Sequence, residues 1–305
     1  MASVQTAAGG SFTVPCRFKF SGTAWSLFNQ LVGGLIACMF TLGIYFPWLV
    51  CRMQRWTSEN ISLNDSQGNQ VNTRFNGIGS ELFATTVFGL LLTVVTLGIY
   101  GPWFVVSMIK FFVEKTEGET SDGQKVSMAF TGTGGGLFQN TFVGMILMTV
   151  TLGLYTPWFM CRNIRWFYDH LEIDAGQGNP ITLEFKGTGG EMLKMFIVSC
   201  ILTICTLGIY CFWFQVKVWK FQHDNTEVVT PSGNRLAVRF TGTGDQFAGI
   251  MIIGMILNCL TFGIYQFRFM VRQIQFQTDH IEIGGAEIGG AEIGGAELVA
   301  AGPAA

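Results

Sequence analysis

The chain has 305 residues, of which 49% are hydrophobic and 12% charged, with a net charge of −2 and a mean hydropathy of +0.40. That is about half the charged fraction of an ordinary soluble domain, and the balance excludes a basic surface for nucleic acid. Eight cysteines form no CxxC pair, and most lie in apolar stretches, so they read as small apolar helix residues and neither a metal site nor a cofactor is expected.

The first residues are polar or mixed and lack a basic opening, so no cleavable signal peptide is expected. Five windows without a charged residue follow: Leu27–Cys51, Leu82–Ile109, Leu137–Cys161, Met195–Val216 and Gln246–Phe267. Each exceeds the roughly 18 residues that mark a membrane-crossing candidate, which predicts an integral membrane protein.

One pattern recurs every 55 residues. A polar segment with a turn glycine, flanked by runs such as VNTRFNG and ITLEFKG, predicts a β-hairpin. Phe20, Phe75, Phe130, Phe185 and Phe240 then open an F-x-G-x-G motif, with Ala24 replacing the second glycine in the first copy. An apolar helix, here helix A, follows, with a small residue near its middle (Gly34, Gly89, Gly144, Ser199, Gly254) that suits close helix contact.

The corner TLGIY ends helix A, and Pro-Trp starts a second helix, helix B. The predicted corner residues are Gly43, Tyr45, Pro47 and Trp48, then Gly98, Tyr100, Pro102 and Trp103, then Gly153, Tyr155, Pro157 and Trp158, then Gly208, Tyr210 and Trp213, and finally Gly263 and Tyr265, where Phe267-Arg268 replaces Pro-Trp. Tyr and Trp are headgroup-level anchors.

Helix B carries a basic stripe: Arg52, Arg55, Lys110, Arg162, Arg165, Lys217, Lys220 and Arg272. These are the candidate contacts for an anion or a lipid headgroup, since a charge within a bilayer turns to protein, water or headgroup. Acidic pairs end helix B at Glu114/Glu117, Asp169/Glu172, Asp224/Glu227 and Asp279/Glu282, and they read as local ion pairs or as a carboxylate ring.

The expected fold is a polytopic membrane protein, mainly α with small β-hairpins, in five 55-residue repeats around a pseudo-fivefold axis. The expected divisions are an N-terminal tail at 1–11, a membrane domain at 12–283 with repeat cores 12–66, 67–121, 122–176, 177–231 and 232–283, and a Gly/Ala-rich flexible tail at 284–305. Complete membrane-crossing hairpins are favoured over hairpins that dip part-way. Ile281-Glu282-Ile283 is placed to meet the strand near Phe18–Phe20 and close the sheets into a ring.

The repeated F-x-G-x-G-x-x-x-F and T-L-G-I-Y-x-P-W motifs, over about residues 12–283, resemble the YjgN-like group of bacterial inner-membrane proteins of unknown function. The resemblance implies an inner-membrane location and brings no catalytic residues. Two functions fit: a transporter or channel-like bundle for an anionic solute or lipid headgroup, and a lipid-organising scaffold with a β-hairpin docking face. The expected partners are membrane lipids, with a second copy or another protein at the hairpin face. GTGGG at Gly132–Gly136 lacks the GK[ST] of a phosphate loop, and no enzyme is expected.

Overall fold

The computed structural model describes residues 3–5, 11–13, 15–64, 70–121, 123–175, 180–231 and 233–284. The predicted tail beyond Gly284 lies outside them. Two short strands near the N-terminus, β1 (Ser3–Gln5) and β2 (Ser11–Thr13), pair with each other. The repeats follow.

Each repeat gives a strand, two helices and a returning strand. The first runs β3 (Cys16–Phe20), α1 (Ala24–Phe40), α2 (Phe46–Glu59), β4 (Ile61–Asn64). The second runs β5 (Gln70–Phe75), α3 (Gly79–Val95), α4 (Gly101–Glu114), β6 (Thr116–Thr120), and the third β7 (Lys125–Phe130), α5 (Gly134–Val150), α6 (Thr156–Asp169), β8 (Leu171–Asp174). The fourth is β9 (Ile181–Phe185), α7 (Gly189–Cys205), α8 (Cys211–Asp224), β10 (Thr226–Val229), and the fifth β11 (Arg235–Phe240), α9 (Gly244–Leu260), α10 (Gln266–Asp279), β12 (Ile281–Ile283).

The strands β3 to β12 form one closed antiparallel barrel of ten strands. Closure runs through β12 and β3, with Glu282 opposite Arg17 and Ile283 opposite Cys16, the pairing placed there from sequence. Strand connections alternate, so the helical hairpins collect at one barrel end and the strand-to-strand connections at the other. Alternation along β5 and β7 puts Gln70, Asn72, Arg74 and Lys125, Ser127, Ala129 outside and the more apolar set ending in Phe75 and Phe130 inside.

This corrects the expected fold. The strands do not form five separate hairpins on a polytopic helical bundle, because each pairs with the neighbouring repeat and leaves no edge open. Nor is any helix among the described residues long and apolar enough to cross a membrane. The charge-free windows overstated length because each folds back on itself at the corner. Helix A has 17 residues and helix B 14, giving about 25 and 21 Å against roughly 30 Å of hydrocarbon.

The corner is built by its threonine. Thr41 Oγ1 donates to Ala37 O (2.7 Å) and accepts from Tyr45 N (3.1 Å), closing helix A and supplying the first amide of helix B. All five corner threonines repeat both bonds. Gly43 N reaches back to Cys38 O (2.8 Å), a Schellman closure whose left-handed residue is Leu42 (φ 50°), with Gly43 (φ 88°) following.

Neighbouring repeats interlock through the second glycine of F-x-G-x-G. A Cβ on Gly79, Gly134, Gly189 or Gly244 would lie 2.7–3.3 Å from the Cα of Trp48, Trp103, Trp158 or Trp213 in the preceding repeat, and as close to the indole. The seam between repeats five and one departs on both sides at once, with Arg268 in place of tryptophan and Ala24 in place of glycine. Beneath, the F-x-G phenylalanines meet the helix B aromatics edge-on: Phe20–Trp56, Phe75–Phe111, Phe130–Trp166, Phe185–Phe221 and Phe240–Phe276 lie 5.4–6.1 Å apart at 67–72°.

Gly134→Ala is expected to destabilise the protein by about 1–3 kcal/mol through overpacking. Arg268→Trp alone is expected to lower the melting temperature against the Ala24 methyl, and Arg268→Trp with Ala24→Gly to recover it. Thermal unfolding followed by tryptophan fluorescence checks both.

Candidate functional site

Helix B is the inner element of each repeat. Four buried apolar clusters join successive helices B. One joins α10 to α2 around Leu49 and Val271, one α2 to α4 around Cys51 and Phe111, one α8 to α10 around Val216 and Phe276, and one α6 to α8 around Cys161 and Phe221. Between α4 and α6 lies an open pocket of about 320 Å³ instead. Helices A pack outside, each against two helices B. Their mid-helix Gly34, Gly89, Gly144 and Gly254 lie against Leu49, Phe104, Phe159 and Phe269, the close approach expected of a small residue.

The structure divides the predicted basic stripe in two. At its tenth residue, helix B reaches the next repeat. Arg55 donates to Phe75 O (3.3 Å) and Gly77 O (3.1 Å), and Arg165 to Phe185 O (3.3 Å) and Gly187 O (3.1 Å). The guanidinium fork suits two carbonyls left free where the strand exits the sheet. Lys110 and Lys220 hold the same position with no hydrogen bond or ion pair among the described residues. At its seventh residue, helix B turns back toward its own corner: Arg52 donates to Tyr45 Oη (3.0 Å) and Gln30 O (3.4 Å), and Lys217 lies 5.3 Å over the Tyr210 ring. Arg162 and Arg272 share this level. The eight cations are therefore distributed around the ring rather than gathered at one point.

The structure places the corner residues of each repeat together. Tyr45–Trp48, Tyr100–Trp103, Tyr155–Trp158 and Tyr210–Trp213 stack with centroids 5.7–6.1 Å apart. Pro47, Pro102 and Pro157 occupy the first turn of helix B, and Gly98, Gly153, Gly208 and Gly263 take positive φ as Gly43 does. Tyr265 keeps its place without a tryptophan partner.

Two of the predicted acidic pairs, Asp224/Glu227 and Asp279/Glu282, serve local bonds. Asp279 Oδ1 accepts from Phe20 N (2.7 Å) and Asp224 Oδ1 from Phe240 N (3.1 Å), tying helix B to the neighbouring strand. Glu282 pairs with Arg17 (2.9 Å), and Glu227 lies between Lys186 and Arg235, with Arg235 also reaching Glu184. Partial burial alone would raise the Glu227 pKa, but the hydrogen bonds and charges of Lys186 and Arg235 hold it below the usual carboxylate range. His170 and His280 bond through Nδ1 to Trp166 O and Phe276 O at the ends of their helices. Burial pushes the Cys51 and Cys161 thiols up, and Arg55 and Arg165 offset this only in part.

Sequence reading missed the caps of helix A. Thr23, Thr188 and Thr243 form capping boxes with Ser26, Glu191 and Gln246, and the T-x-x-S/E/Q spacing was there to find.

The family model for "Bacterial protein of unknown function (DUF898)" matches residues 70–121, 125–177, 180–231 and 235–289. The chain belongs to this family. Each of the four DUF898 stretches covers one strand–helical hairpin–strand unit. Among curated proteins, the chain is similar to Inner membrane protein YjgN of Salmonella typhimurium, at 29% identity over 90 residues, which is 30% of this chain and 22% of that protein. It is also similar to the proteins of that name from two Escherichia coli strains, at 35% and 36% identity over 87 residues, which is 28% of this chain and 19% of theirs. The matched part of the chain thus spans about a fifth of the length of these relatives. No solved structure matches.

Arg165→Ala leaves two carbonyls without their charged donor and is expected to cost about 1.5 kcal/mol, read from denaturant unfolding. A depressed carboxylate stabilises the fold above its unfolded pKa and loses that contribution as pH falls through the folded value. Glu227→Gln is expected to cost about 0.5–1 kcal/mol at neutral pH and to flatten the decline in melting temperature as pH falls below about 4.5.

Proposed function

We propose that the protein is a lipid-binding component of the bacterial inner membrane, held there by five helical corners that enter one leaflet. One observation carries the reading: each helix A changes character at its midpoint. The exposed residues of the first two turns include Asn29, Gln30, Glu81, Gln139, Glu191, Lys194 and Asp245. From there to the corner the exposed surface is overwhelmingly apolar, as in Phe88, Leu90, Leu91, Val94 and Val95 of α3.

The apolar part of helix A is about ten residues, or roughly 15 Å, which matches half of a 30 Å hydrocarbon core. Arg52, bonded to the Gln30 carbonyl, marks the boundary. Arg162, Lys217 and Arg272 share its level, where phosphates would lie, and the stacked Tyr–Trp pairs suit the same interface.

The corner tips point the same way. Leu42, Leu97, Leu152, Leu207 and Phe262 are 94–97% exposed and have φ of 50–52°. Left-handed backbone costs a bulky residue about 1–2 kcal/mol, so water would favour Gly or Asn there. Lipid around the tip makes the apolar side chain favourable in every repeat. The names of the relatives support the location. The role proposed is binding and organising anionic lipid, without bond-making chemistry.

Flotation with vesicles of phosphatidylethanolamine and phosphatidylglycerol tests the reading. The wild type is expected to float. Leu97→Asp, Leu152→Asp and Leu207→Asp together are expected to leave it in the bottom fraction, since each leucine withdrawn from lipid forfeits roughly 1.5–3 kcal/mol. Wild-type protein that stays down, or a triple variant that still floats, overturns the proposal.

A further inference from the structure

The five helices B are alike in sequence register but not in the face they present at the pocket. On α4 the lining is Phe104, Val105, Met108, Ile109, Phe112 and Val113, joined by Phe167 of α6. Every one is apolar. The same six positions carry Gln54, Thr57 and Ser58 on α2, Asn163 and Tyr168 on α6, Gln215, Gln222 and His223 on α8, and Gln273, Gln277 and Thr278 on α10. One helix of five carries no polar residue on this face, and it borders the junction where no buried cluster is found among the described residues.

The neighbouring contacts explain why the space stays open. Asn163 of α6, in register with Met108, is engaged by Asn140 of α5, whose side-chain amide donates to it (2.7 Å). Tyr168 turns toward α8 and accepts from Gln222 (2.9 Å). Only Phe167 remains to face α4. The floor is aromatic, with Phe112 stacked 5.9 Å from Phe75 of the barrel and Phe167 lying 5.5 Å from Phe130.

We propose that this pocket binds a single long acyl chain. A wall with no hydrogen-bonding side chain rejects a headgroup or sugar, whose polar atoms would be desolvated without partners. Its volume, near the lower limit of about 300 Å³ for ligand sites, suits one chain rather than a whole two-chain lipid. The polar residues of the other helices B leave a place for the hydrated end of an amphiphile. The proposal rests on the membrane reading only for the source of the chain, a bilayer lipid.

The test uses the full chain in detergent with palmitic acid bearing a mid-chain diazirine, followed by irradiation and peptide mapping. Crosslinks are expected to concentrate on α4 and on the segment holding Phe167. A Met108→Gln/Ile109→Gln/Phe112→Gln variant copies residues that the sister repeats already carry, Gln273, Gln54 and Gln222, so the helix position tolerates them. It is expected to reduce α4 labelling about tenfold, because the new amides lie against the chain unpaired. Val105→Phe with Val113→Phe fills the pocket without adding polarity and is expected to do the same, which keeps the test open if the first variant misfolds. Labelling spread evenly over the five helices B, confined to the outer faces of helices A, or undiminished in both variants overturns the proposal. A wild type that floats on vesicles without labelling α4 defeats the pocket alone. One that labels α4 without floating keeps the pocket and defeats the membrane reading.

Discussion

The tryptophan of one repeat lying against the glycine of the next is the contact on which the ring depends. A 55-residue unit has two strands and two helices, too little to bury its own faces. One side of the Trp103 indole stacks on Tyr100, and Gly134 brings the next helix A against it, with no room for a Cβ at that position. Arg55 and Arg165 add a second tie at the same seam, from a helix to the carbonyls of the following strand exit. Open repeat arrays need polar caps at their ends. Here the fifth repeat covers the first, and no end is left to cap.

Closing the ring also sorts polarity. The strands alternate, so the barrel turns its charged residues outward. The helices B fill the interior of the helical end, and the helices A become its outer surface. Beyond the first two turns, the outer face of each helix A meets no neighbour among the described residues that buries its apolar side chains. A wet outer face would have been cheap to encode there, as Lys194 and Glu191 show one turn earlier. Packing does not call for the abrupt change between those residues and Ile197 or Val198, and the proposed lipid surroundings would.

Much of this was legible in the sequence because it is local. The period, the corner, the hairpin of helices and the small mid-helix residue all follow from residues within one repeat. Even the closing strand showed itself, since Ile281-Glu282-Ile283 stands in the register of Leu171-Glu172-Ile173. The barrel was not legible, because a strand pairs equally well with a neighbour inside its own hairpin and with one from the next repeat. Helix length was misjudged for a related reason: charge counts do not register a fold-back. Arg55 read as an anion contact because its acceptors are backbone carbonyls, which leave no mark in a sequence. The Trp–Gly interlock did leave one, in the joint departure of Ala24 and Arg268 from the pattern.

That joint departure suggests how to read a repeat protein for function. Wherever the five copies agree, the residue is explained by the ring, since the same seam recurs five times. Wherever one copy departs, either a partner departs with it or the ring does not account for the change. Arg268 has such a partner in Ala24, and the pair belongs to architecture. The apolar face of α4 has no such partner on α6, where Phe167 alone meets the pocket, while Met108 and Phe112 pack toward the α2–α4 cluster. The departure leaves a wholly apolar lining open at this junction. The asymmetric element of an otherwise symmetric protein therefore lies between the second and third repeats, and the proposed acyl-chain site would give it a reason.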